Sequence, residues 1–145
     1  MGTVRNILAT KGSTVFTVEP ETSVLEALRI MAEHNVGALV VTKDRELAGI
    51  FSERDYARKG ALLGRTAAAT TVGEIMTSNV FTVTEEHSVD ACMALMTARH
   101  IRHLPVVEGG KLVGMVSIGD IVKRLIAERE QTIQDLTSYI TGSRS

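Results

Sequence analysis

The sequence predicts a mixed α/β fold of the α+β kind, in which two βαββα repeats pack sheet to sheet with pseudo-twofold symmetry. Three observations predict it. The chain is internally duplicated, short β-branched runs alternate with helical stripes in both copies, and the strands are apolar on both faces. The duplication comes first, because a missed repeat misreads the whole fold. Val15-Phe16-Thr17-Val18 recurs as Val80-Phe81-Thr82-Val83, and this offset of 65 residues holds without a gap to Asp55 and Asp120. Over those 41 paired positions 14 are identical, among them Ser23-Val24 with Ser88-Val89, Gly49 with Gly114 and Ser52 with Ser117.

Each copy then reads in the same order. A short apolar strand comes first, at residues 15–18 and 80–83. A helix follows, opened in copy one by Ser23-Val24-Leu25-Glu26, a capping box in which serine and glutamate satisfy free amides. Its apolar stripe is Val24, Ala27, Leu28 and Met31; the stripe of copy two is Val89, Met93 and Met96 with Cys92 beside it. Residues 38–42 and 104–107 form the next strands, polar turns follow, and residues 47–51 and 112–116 form the last ones. A second helix starts near Ser52 and Ser117. Strands that are apolar on both faces belong to small sheets covered by helices. One copy of about 50 residues is marginal alone, and two packed together bury what one cannot. The packing also creates two related clefts between the copies. The expected division is a first repeat at residues 1–58, a linker at 59–71, a second repeat at 72–127 and a C-terminal helical extension and tail at 128–145. The last helix outruns its own core, so a second subunit is expected against it.

Composition narrows the function classes. There are 17 acidic and 16 basic residues, a balance that argues against nucleic acid as a partner. Aromatic residues make up 3% of the chain with no Trp, too few for a stacking surface on single strands. No apolar run is long enough to span a bilayer, and the N-terminus lacks the apolar stretch of a secretion signal. Cys92 is the one cysteine, so a disulfide framework is excluded and a cytoplasmic setting is expected.

The chemistry concentrates at the two strand-to-helix junctions, Gly49-Ile50-Phe51-Ser52-Glu53-Arg54-Asp55 and Gly114-Met115-Val116-Ser117-Ile118-Gly119-Asp120. The serine caps the helix and leaves its hydroxyl and nearby amides at the positive helix N-terminus, a place suited to an anion. The aspartate three residues on is placed to accept two hydrogen bonds from a ribose diol. The same Ser-x-x-Asp spacing also describes an ordinary helix start, and duplication copies caps as well as sites.

The combination of these motifs resembles a tandem pair of CBS domains, together called a Bateman module. The residues that carry the resemblance are Val72-Gly73-Glu74-Ile75-Met76-Thr77, Val80 to Val83, Arg102-His103-Leu104-Pro105-Val106-Val107 and the two junctions. The resemblance implies adenosine-containing ligands, such as AMP, ATP, NAD or S-adenosylmethionine, bound between the repeats. It assigns ribose to Asp55 and Asp120, ribose or phosphate to Ser52 and Ser117, and the base to the backbone around Thr14 to Thr17 and Ser78 to Val80. Ile101, which precedes Arg102, joins the candidate binding residues.

Phosphates need cations. Arg102 and His103 open the middle strand of copy two, and because strand neighbours face opposite ways, one is expected to serve each cleft. Their copy-one counterparts are Gly37 and Ala38, which cannot pair with phosphate, so the clamp is expected to be asymmetric. Arg54 and Lys11 are further cation candidates; Gly119 stands where copy one has Arg54. Arg54 and Arg102 also read as solvated surface charges. His100 and His103 lack partners at metal-ligand spacing, so no metal is expected. Neither a Ser-His-Asp set nor a Gly-x-Ser-x-Gly elbow is present. The expectation is a regulatory, non-enzymatic nucleotide sensor and homodimer acting on a separate effector protein. The alternatives are an oligomerisation scaffold with empty clefts and an enzyme acting on the nucleotide.

Overall fold

The computed structural model describes residues 2–141, and it opens with a helix that is not among the predicted elements. This is α1 (Val4–Lys11), started by Thr3 and Asn6 in a reciprocal capping box. Val4, Ile7 and Leu8 form its buried stripe, at the i, i+3, i+4 spacing of one helix face. That stripe does not pack on the first repeat. It enters the core of the second, among Val83, Val89, Met96, Leu104, Val116 and Ile121. The short helix α4 (Val72–Ile75), which leads into the second repeat, does the converse. Its Val72 and Ile75 complete the first core with Val18, Val24, Met31, Leu39 and Phe51. The leading helices of the two repeats are thus exchanged. Matching backbone hydrogen bonds fix the exchange, Val24 N to the Thr70 carbonyl at 2.8 Å and Val89 N to the Gly2 carbonyl at 2.9 Å.

The first sheet has three strands in the order β1 (Thr17–Val18), β2 (Ala38–Lys43) and β3 (Glu46–Ser52). β1 runs parallel to β2, and β3 antiparallel. The second sheet is the hairpin β4 (His103–Glu108) and β5 (Lys111–Ser117). The two hairpins copy each other down to the irregularity, which falls between Val41 and Thr42 and between Val106 and Val107. Each is closed by a two-residue turn with both φ values positive, Asp44-Arg45 and Gly109-Gly110, the geometry that matches strand twist.

The expected first strands are shorter than residues 15–18 and 80–83. The second survives only as a bridge from Val83 to Val106. The sequence difference that causes this is Pro105. Its counterpart Val40 donates its N–H to the Phe16 carbonyl at 3.3 Å, and proline has no N–H to donate.

Helices α2 (Val24–His34) and α5 (Val89–Arg99) cover one face of each sheet. Ser23 caps α2 by accepting from the Glu26 amide at 3.1 Å. The glutamate half of the expected box does not form, because Glu26 turns to Arg29 at 3.7 Å. Leu39 and Val41 face the helices, whereas Val40, fully buried, lies on the opposite face, where β3 meets β5 of the other repeat. The sheet-to-sheet packing follows from that alternation.

Residues 59–71, expected as a linker, are docked. The Ala67 and Thr70 carbonyls accept the Leu25 and Val24 amides, which are otherwise unpaired at the start of α2. The junction helices are unequal. After α3 (Glu53–Asp55) comes a π-helical turn at Tyr56–Gly60, whereas α6 (Ile118–Thr141) runs 24 residues without a break. Among the described residues no helix is long and apolar enough to cross a membrane.

Candidate functional site

At the end of β3 the backbone leaves the sheet and turns into α3, and Ser52 caps that turn by accepting the Asp55 amide at 3.1 Å. The Asp55 carboxylate folds back. Its Oδ2 accepts from the Ser52 amide and hydroxyl, both at 3.0 Å. Its Oδ1 accepts from the Thr77 hydroxyl at 3.1 Å, and the Lys59 ammonium stands 3.6 Å away. Thr77 is held there by the strand edge, since it exchanges backbone hydrogen bonds with Ile50 at 2.8 and 2.9 Å.

Asp55 lines a cleft of about 490 Å³, within the range of small-molecule sites. Eight predicted residues line it: Gly37, Ser52, Arg54, Asp55, Val80, Ile101, Arg102 and His103. Arg102 and His103 were expected to serve opposite clefts; both line this one, and His103 also lies near Asp120 and Lys11 of the second junction. The reason is that β4 begins at His103, so Arg102 lies in the preceding bend and strand alternation does not govern it. His103 is a weaker base than an ordinary histidine. Burial is the main cause, opposed by the charges of Asp120 and Asp55 and reinforced by those of Lys11 and Arg102.

The cleft also holds groups the site prediction missed. Arg58 and Lys59 join Arg54 and Arg102, giving four cations against Glu53 and Asp55. The signal for them was helical spacing, since they sit three and four residues after Asp55 on a turn the linker assignment cut short. Phe81 lines the cleft as well, with the Arg99 guanidinium 4.8 Å from its ring centre.

The second junction has the same backbone and a different occupant. The Ser117 amide donates to Asp120 Oδ2 at 2.8 Å, and the Asp120 amide to the Ser117 hydroxyl at 3.2 Å. Lys11, expected as a phosphate cation, instead places its ammonium 2.8 Å from Asp120 Oδ2 and 3.0 Å from the Met115 carbonyl. Burial would raise the Asp120 carboxyl, but hydrogen bonds from Lys11 and Ser117 outweigh it and hold the group below its ordinary value. Lys11, Ser117 and Asp120 do not line the open cleft, and neither do Thr17, exposed on β1, and Ala38, buried in the sheet. Among the described residues no three His, Cys, Asp or Glu side chains converge on a metal-sized position.

The CBS domain family profile matches residues 4–61 and 72–127. This chain belongs to the CBS domain family. The mitochondrial CBS domain-containing protein CBSX3 of Arabidopsis thaliana is 42% identical to this CBS pair, over 97% of this chain and 72% of its own length. A solved protein with CBS domains from Burkholderia ambifaria is 51% identical with a TM-score of 0.84, covering 86% of this chain and 94% of its own. A third relative is a CBS domain pair solved with 5′-methylthioadenosine and S-adenosyl-L-methionine. It is 30% identical with a TM-score of 0.76, covering 89% of this chain and 98% of its own. The fold of two CBS repeats expected from the sequence is therefore the fold of this protein, and tandem pairs of this kind are regulatory modules.

Proposed function

We propose that this CBS pair is a non-enzymatic regulatory module that binds an adenine nucleotide, AMP, ATP or NAD, in the cleft at Asp55. One observation carries the reading. A carboxylate held mainly by neutral donors shares a 490 Å³ cleft with Arg54, Arg58, Lys59 and Arg102. A ribose diol donates to Asp55, displacing the Thr77 hydroxyl. The phosphates lie toward the four cations, where charge-assisted hydrogen bonds are strongest. The base packs on the apolar surface of Val80, Phe81 and Ile101. The relative that binds two adenosine compounds supports the adenosine part of this reading. Ser52 is a helix cap rather than a nucleophile, since its hydroxyl is engaged with both the amide and the carboxylate of Asp55.

The bound nucleotide alters how the two repeats close on each other, and a separate effector protein reads that change. The chain acts as a homodimer through α6. It works in the cytoplasm on this reading, although a mitochondrial compartment would offer the same ligands.

Asp55→Ala tests the reading by calorimetry with AMP and ATP. The loss of the ribose acceptor is expected to weaken binding about tenfold or more, which corresponds to about 1.4 kcal/mol. Unchanged affinity and stoichiometry would overturn the ribose role. Adenosine binding as tightly as ATP would overturn the role of the cations. A wild-type chain that binds none of these compounds would leave the oligomerisation scaffold as the function.

A further inference from the structure

The two junction aspartates occupy equivalent positions and differ in what neutralises them. At the first, Thr77 does two jobs: its amide satisfies the Ile50 carbonyl and its hydroxyl satisfies Asp55. At the second, one lysine does both, since Lys11 Nζ binds the Met115 carbonyl and Asp120 together. Met115 is the counterpart of Ile50 at the 65-residue offset. The other helical cation is redirected as well. Lys59 stands 3.6 Å from Asp55, but its counterpart Arg124 is paired with Glu128 at 3.2 Å.

We propose that Lys11 is a built-in occupant of the second nucleotide position, so that this chain binds one nucleotide per subunit until Lys11 is displaced from Asp120. The inference rests on the nucleotide reading given above. Three features support it. The ammonium sits 2.8 Å from Asp120 Oδ2, beside the oxygen that corresponds to the one Thr77 holds at Asp55, and an ammonium on a carboxylate is a stronger competitor than a threonine hydroxyl. The Asp120 side chain is 17% exposed, so the pair is only partly screened by water. Lys11 is also the last residue of α1, whose stripe is buried in the second core, so its backbone is anchored beside the site. The asymmetry between the clefts is then one of occupancy, set by a residue at the end of α1, where copy one is three residues longer than copy two before the first strand.

The test is calorimetric titration of wild type, Lys11→Met and Asp55→Asn/Lys11→Met with AMP and ATP. Lys11→Gln replaces the methionine variant if thermal melting shows that methionine disturbs the fold. Wild type is expected to bind one nucleotide per chain and Lys11→Met two. The double variant is expected to keep one, which Asp120→Asn then removes. Lys43→Met, which breaks the remote surface pair with Glu21, is expected to stay at one. Two equivalent sites in wild type would overturn the proposal. So would the absence of a second site in Lys11→Met, whether or not the Asp55 cleft binds. Wild type binding nothing while Lys11→Met binds at Asp120 would uphold Lys11 as the occupant and refute the reading of the Asp55 cleft.

Discussion

Asp55 and Asp120 show how much a residue's surroundings add to its identity. Both accept from the amide of the serine three residues back, as the spacing predicts, and both follow directly on the end of a strand. That much was legible, because capping geometry depends on local spacing. What distinguishes them comes from segments distant in sequence, Thr77 in one case and Lys11 in the other, and no local pattern reports such a partner. The distinction has a consequence in acid. The Asp120 carboxyl is held below its ordinary value of 3.8 by Lys11 and Ser117, against the effect of burial. A depressed carboxyl contributes stability that is fully present above its unfolded value and is lost as the pH falls through its folded value. Lys11→Met removes part of that depression. The variant is therefore expected to be less stable than wild type at neutral pH, by no more than about 1 kcal/mol for a partly exposed pair. The gap is expected to close as the pH falls below about 3.8. Denaturant melts across that range check it, and a gap that widens in acid would show that the pair does not stabilise the fold. His103 titrates on the same side but starts nearer neutrality, so the two windows separate.

At the scale of elements, the hairpins and the two long helices were readable because their periodicities are strong and each is present twice. The first strands were overestimated, since apolarity alone does not supply the N–H that Pro105 lacks. Helices α1 and α4 escaped the element reading because each is short and its stripe has only two or three apolar residues. Their placement depends on two paired glycines. A β-carbon on Gly49 would lie 2.6 Å from the Thr77 carbonyl oxygen, a backbone atom with nowhere to go. A β-carbon on Gly114 would meet the methyl groups of Leu8 at 2.9 and 3.0 Å, and a leucine can turn. The paired substitutions should therefore differ. Gly49→Ala is expected to cost about 1–3 kcal/mol, as overpacking does, and to weaken nucleotide binding by moving Thr77 and Asp55 apart. Gly114→Ala is expected to cost less and to leave the Asp55 cleft intact. Urea denaturation with a binding isotherm for each variant decides it, and equal costs would mean that the edge at Thr77 gives way as easily as a side chain.

The whole molecule depends on an exchange that patterning does not encode. Apolar residues at helical spacing say that α1 must be buried, not in which core, and the duplication makes both cores equally plausible hosts. The exchange makes each repeat incomplete without the other's leading helix. The far end of α6 is a different case, because its apolar residues enter neither core. The helix of 24 residues is about 36 Å long. Beyond Leu125, which packs on the second core, Ile126, Ile133, Leu136 and Ile140 are 52%, 56%, 57% and 79% exposed. Ile126, Ile133 and Ile140 recur every seven residues, with Leu136 three after Ile133, which is the seam of two helices wound together. Such a seam is stabilised only by a partner, and a second copy of α6 supplies a matching one. The chain is therefore expected to be a homodimer in solution, and Ile133→Glu with Leu136→Glu is expected to give a monomer that keeps the Asp55 cleft and its nucleotide affinity. Light scattering beside calorimetry measures both at once. A monomeric wild type would remove the seam from the account, whereas a double variant that stays dimeric would place the interface on another face. If dissociation also abolished nucleotide binding, the cleft would depend on the dimer rather than on the exchanged helices alone.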